Sequence, residues 1–199
     1  MTDLTAAIGM ERLQRAVTLL LIQNINNAID AQNTLWGTRD DIFFTAVGRD
    51  QDPFVCEHIA SDNIYSGTIP SLIEKPNEFY PNCCVIAYIG SPISNSSDFV
   101  DCYGITIAIE IMVKSESSEE EVNARIHRTL EAANSIMVTE KHRGFPEGND
   151  GAPIVPKISR PAMVTIGEIF IKHSGTDPNA RTFYQGGSLN YLAEKFSPY

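Results

Sequence analysis

Tyr103-Gly104-Ile105-Thr106-Ile107-Ala108-Ile109-Glu110-Ile111-Met112-Val113 runs through Lys114-Ser115-Glu116-Ser117-Ser118-Glu119-Glu120-Glu121 into a segment ending at Met137. In the first part Ile105, Ile107, Ile109, Ile111 and Val113 recur every second residue, with Thr106, Ala108, Glu110 and Met112 between them. Successive strand side chains point to opposite faces, so this alternation predicts a half-buried antiparallel strand with one apolar face. Ser118 to Glu121 then reads as a capping box: a Ser hydroxyl accepts from an orphan N–H, Glu121 reaches back, and three glutamates complement the helix dipole. Val122, Ile126, Leu130, Ala133 and Met137 follow at helical spacing. Their stripe matches the apolar face that the isoleucines need covered.

Working outward, Leu13, Ala16, Val17, Leu20, Leu21, Ile25 and Ala28 predict a first helix over about Leu4 to Ala31, with Thr2-Asp3 as cap and Gly9 as an early break. From Asn33 to Pro81 short apolar runs alternate with Gly, Pro, Asn and Asp, which reads as a long irregular insertion with short strands. Cys83 to Ile89 is a continuous apolar strand that pairs with the isoleucine strand as a hairpin. The helix spans roughly Glu119 to Glu140, and the Gly- and Pro-rich stretch from Arg143 to Pro153 follows it as a loop. Pro161 to Lys172 reads as one strand, Arg181 to Tyr184 as a short edge, and Gly186-Gly187 as a turn opening a polar, aromatic tail, the tail region beginning near 175. The expected fold is therefore one α+β domain over 1–199, a mainly antiparallel sheet with helices packed on one face.

Apolar content of 43% excludes wholesale disorder, and no apolar run approaches the ~20 residues a spanning helix needs. Acidic Asp3 and Glu11 stand where a signal peptide would be basic, so synthesis in the cytoplasm is expected. A net charge of −10 disfavours adhesion to nucleic-acid phosphates. Cys56, Cys83, Cys84 and Cys102 form no C-x-x-C pair and read as free thiols. The histidines His58, His127, His142 and His173 lack metal-ligand spacing, His127 is expected to face solvent or a neighbouring subunit, and Lys141-His142-Arg143 complements a helix C-terminus. There is no G-x-S-x-G elbow and no phosphate loop. Glu110 is expected on the exposed face of its strand. No catalytic residue, metal or cofactor is expected. Phe79, Tyr80, Phe183, Tyr184, Tyr191 and Phe196 stand among polar residues and are candidate interface aromatics, with core beneath the loops as the other reading.

Glu78-Phe79-Tyr80-Pro81 before the Cys83 strand, the isoleucine strand, the acidic cap, the helix Val122-Asn123-Ala124-Arg125-Ile126-His127-Arg128-Thr129-Leu130-Glu131-Ala132 and the Pro161 strand together resemble the tail terminator family of long-tailed bacteriophages. The leading helix matches as well; Asn33 to Pro76 and the tail beyond Gly175 fall outside the likeness. The resemblance implies a non-enzymatic virion protein of the tail and neck. It would form a hexameric ring of itself on the last ring of tail tube protein, end polymerisation and meet the head-side connector. DNA would pass transiently through a lumen whose carboxylates give it no cationic trap, with Glu116, Glu119, Glu120 and Glu121 as candidates to face it and simple dipole capping as the other reading. Three further readings stand beside it. One is a head-closure or connector neck protein; another, of a different class, is a small-molecule-binding or enzymatic α+β domain with its site in the insertion; the third is a cytosolic monomeric adaptor.

Overall fold

The computed structural model describes residues 4–66, 83–89, 93–95, 102–140, 157–158, 163–173 and 180–196, with side chains for 17–65, 107–139, 163–173 and 180–191. It is an α+β fold. Two helices, α1 (Leu4–Ala46) and α2 (Glu119–Glu140), pack on a sheet made of β1 (Ile64–Ser66), β2 (Cys83–Ile89), β3 (Ile93–Asn95), β4 (Cys102–Ser115), β5 (Lys157–Ile158), β6 (Met163–Ile166), β7 (Phe170–His173) and β8 (Arg181–Phe196). The sheet order is β1-β2-β4-β8-β5, with β3 beside β4 and both β6 and β7 beside β8. Every pairing is antiparallel except β1 with β2. The expected hairpin partners pair in register, Val85 opposite Ile111 and Ala87 opposite Ile109.

The core forms where the sequence pattern placed it. Ile107, Ile109, Ile111 and Val113 of β4 are buried, as are Val122, Ile126, Leu130, Ala133 and Met137 of α2, while Glu110 is exposed. On β8, Leu189 lies opposite Ile109 and Tyr191 opposite Ile107, so the two longest strands present one continuous apolar face to α2. The Tyr191 hydroxyl donates to Asn134 Oδ1 at 2.9 Å, tying strand to helix while satisfying a polar group that burial would otherwise penalise.

Three sequence expectations change. First, α1 does not stop near Ala31, nor does Gly9 break it; it continues to Ala46 and takes in the first third of the stretch read as an insertion. Gly48, with φ +69°, ends it. The Gly48 N–H donates to Thr45 O (3.1 Å) and the Arg49 N–H to Phe44 O (2.9 Å), the Schellman pairing that a left-handed glycine permits. Second, the stretch from Arg181 is no short edge before a tail. It is a 16-residue strand, the longest in the sheet, flanked on both sides. Gly186-Gly187 is not a turn: a Cβ on Gly187 would lie 2.9 Å from Leu130 Cδ1, so the missing side chain lets α2 approach the strand. Third, the strand expected from Pro161 to Lys172 is broken. Ile166 pairs with Gly187 and Phe170 with Tyr184, four residues against three, so 167–169 form a bulge held by Gly167 N–H to Gly186 O at 2.9 Å. Simple alternation would put Ile166 and Ile169 on opposite faces, but the extra residue turns both against the core. The readings for Thr2-Asp3, 67–82 and 141–156 lie outside the described residues.

Gly187→Val should therefore destabilise the protein by about 1–3 kcal/mol through overpacking against Leu130 and Ile126. Chemical denaturation of the variant, with an unchanged slope and a lower midpoint, is the expected result.

Candidate functional site

After the Schellman turn the chain reverses and residues 54–59 run back along α1 as a strap beside α2. Three α1 side chains receive it at seven-residue intervals, two helical turns apart and so on one face. Asn26 accepts the Ile59 N–H (2.8 Å) and donates to Ile59 O (3.1 Å). Asn33 accepts the Cys56 N–H (2.9 Å) and donates to Cys56 O (3.0 Å), and Asp40 accepts the Phe54 N–H (3.0 Å). The side-chain amides thus do for an extended segment what a partner strand would do, satisfying backbone groups that burial would leave costly. Cys56 and Ile59 are buried in the helix–sheet core, Phe54 is buried against Phe44, and Val55, Glu57 and His58 are exposed. An exposed His58–Asp30 pair at 2.7 Å adds an outer contact.

Asp40 also holds Arg128 of α2 in a two-oxygen pair at 2.8 and 2.7 Å, and Arg128 donates to Phe54 O as well. Both residues are buried, so the pair is a bolt through α1, strap and α2. Trp36 lies beneath the guanidinium groups of Arg128 (5.2 Å) and Arg39 (4.8 Å), and its Nε1 donates to Glu131 (3.3 Å). The Cys56 thiol is buried next to Arg125 O and burial pushes its pKa up, which keeps it protonated and inert.

A cleft of about 370 Å³ opens at the start of α2, lined by Glu57, Lys114, Ser115, Glu116, Ser117 and Arg125. Its charged side chains are paired. Arg125 donates to Glu57 (3.0 Å), Glu121 (3.0 Å) and Lys114 O (2.9 Å), and Lys114 stands 3.7 Å from Glu116. The charged side chains around it are therefore engaged with one another. Among the described residues no three His, Cys, Asp or Glu side chains converge as metal ligands.

The acidic candidates divide. Glu116 and Glu119 are exposed, and Glu120 is exposed with its carboxylate on Arg49 at 2.8 Å, across to the end of α1. Glu121 is partly buried and engaged within the chain. Only half of the expected capping box forms: the Glu121 N–H donates to Ser118 Oγ at 3.1 Å, but the Glu121 carboxylate accepts from Ser115 and Arg125. Burial opposes its ionisation; hydrogen bonds from Ser115 and Ser117 and the Arg125 charge outweigh that and hold the carboxyl below its usual range.

The interface aromatics divide too. Phe183, Tyr184 and Tyr191 are buried in the chain's own fold, because the stretch they occupy is the central strand β8; Tyr184 stacks on Phe170 at 4.9 Å. Phe79 and Tyr80, and the side chain of Phe196, lie outside the described residues, as do the side chains of Cys83, Cys84 and Cys102. His127 is exposed. What the sequence reading missed is the apolar surface left open on the outer side of α1 and on β6–β7, described below. The signals were present: Leu35 and Ile42 at heptad spacing, and Met163-Val164 and Phe170-Ile171, apolar on both faces of a strand. No helix is long and apolar enough to cross a membrane among the described residues. No protein-family model matches the chain, and no curated protein matches it.

Two predictions follow from this geometry. Asp40→Ala strands a buried guanidinium and should cost about 3–5 kcal/mol, read as a lowered unfolding midpoint; the double variant Asp40→Ala/Arg128→Met should recover part of that loss. For Glu121 the folded pKa is depressed, so its contribution is present above the ordinary carboxylate value near 4.5 and is lost as pH falls through the folded value. Thermal melts from pH 7 to pH 3 should show a steeper acid loss in wild type than in Glu121→Gln, which forfeits that contribution at every pH.

Proposed function

We propose that this protein is a non-enzymatic assembly component of the tail terminator type: copies join into a ring at the head-proximal end of a phage tail tube, end its growth and present a surface to the head-side connector. The observation that carries the reading is an open sheet edge. β6 and β7 have β8 on one side and no partner strand on the other among the described residues, and they expose Met163 (67%), Val164 (54%), Phe170 (44%) and Ile171 (40%). The edge is short and carries a bulge with Glu168 and Lys172 beside it, yet it still exposes four large apolar side chains that a neighbouring copy would cover. A second apolar surface on α1 supports the same reading, because ring closure requires two different faces on each subunit.

The charge balance is compatible with a conduit. With −10 overall, and Glu116, Glu119 and Glu120 solvated at one end of α2, a ring of such subunits would repel DNA phosphates and let the polymer slide.

The test is tail assembly with the protein depleted. Expected are tubes of unregulated length that fail to join heads, and, on complementation with a tagged copy, label confined to the head-proximal end in negative-stain images. Tubes of normal length that join heads without the protein would overturn the proposal.

A further inference from the structure

The helix layer and the sheet are out of step by one position. α1 packs on β1 and β2, and α2 packs on β4 and β8. Beyond β8 the sheet continues into β6 and β7, yet no helix lies over them among the described residues, and Val164 and Ile171 on the helix side stay exposed. At the opposite side of the molecule α1 is the outermost helix and carries the complementary excess. Leu35 (46% exposed) and Ile42 (66% exposed) stand five residues before and two residues after Asp40, the residue that faces α2. At about 100° per residue both project from the side of α1 turned away from α2.

We infer that the outer side of α1 in one copy covers the helix side of β6–β7 in the next, a head-to-tail contact that continues both layers from subunit to subunit. Among the described residues no helix covers the helix side of β6–β7, and none packs on the outer side of α1. The charges agree: exposed Arg39 lies between Leu35 and Ile42, and exposed Glu168 lies in the bulge between β6 and β7. Bringing the two surfaces together pairs a cation with an anion and removes four large aliphatic side chains from water. The α1 surface and the edge differ, so the contact is heterologous and each subunit keeps one free face for the next.

This inference rests on the assembly reading above and specifies its subunit contact. The test uses the full chain with Ile42→Asp or Ile171→Asp, both at exposed positions and expected to melt like wild type. By sedimentation velocity at sub-millimolar concentration, wild type should self-associate, and each variant should be monomeric, its association weakened about a hundredfold or more. The two variants mixed in equal amounts should form a heterodimer and nothing larger, because each retains the face its partner lacks. Arg39→Glu and Glu168→Arg should each weaken association, and combining them in one chain should restore it. A wild type that stays monomeric, variants that associate like wild type, or a mixture that remains monomeric would each overturn the contact. The two readings fail separately: a positive mixing test in a protein absent from tails removes only the tail role, and a protein seated on tails but monomeric alone removes only this contact.

Discussion

A guanidinium buried between two helices has to be neutralised where it stands, and the pairing of Arg128 with Asp40 meets that demand in a way that organises everything around it. The bond fixes α2 against the last third of α1, and the same Asp40 and Arg128 take the two backbone groups of Phe54. Helix, strap and helix are thereby set in one register. Replacing such a pair by apolar residues is often neutral in energy, so its value lies in specifying one arrangement over others. Here the arrangement specified is the antiparallel passage of α1 along α2, which Trp36–Glu131 and Arg49–Glu120 continue toward either side.

The strap explains why α1 carries polar residues on its inner side. An apolar helix face buries well against side chains but leaves an extended backbone unsatisfied, and a lone strap cannot complete its own hydrogen bonds. Asn26, Asn33 and Asp40 supply them, while Val17, Leu21, Ile25 and Ile29 face the sheet. The helix changes partner along its length, from sheet to strap, and its buried residues change from aliphatic to amide with it.

That change marks the limit of what was legible in the sequence. The β4–α2 unit was read correctly because both partners are apolar and periodic, so two and 3.6 residue repeats carry the whole signal. Beyond Ala31 the repeat persists but is written in Asn and Asp, which read equally well as a solvent face or a loop. Glycine misled in the same manner. Gly186-Gly187 has the composition of a turn, and only the nearness of Leu130 gives it another cause. Once the glycines were taken for a turn, β8 was cut short and Phe183, Tyr184 and Tyr191 were left looking like surface aromatics. At the acidic cap, local rules placed Ser118 correctly but not the Glu121 carboxylate, whose partner Arg125 offered a stronger bond than the backbone N–H of a capping box.

The same balance between apolar surface and charge bears on assembly. Copies of charge −10 repel one another, so the apolar contact proposed between them would act against that repulsion. Repulsion between exposed carboxylates falls off within a Debye length, about 8 Å at physiological ionic strength, while hydrophobic burial acts only at contact. Added salt should then favour association of copies by screening the repulsion, the opposite of its effect on a protein held to nucleic acid by its cations. A pair such as Arg39 with Glu168 at the contact would select register without reversing that trend, because one screened pair at a rim is weak beside the net charge. In the proposed assembly, apolar adhesion between copies and electrostatic repulsion toward a phosphate polymer are therefore compatible, the first confined to two surfaces and the second spread over the rest.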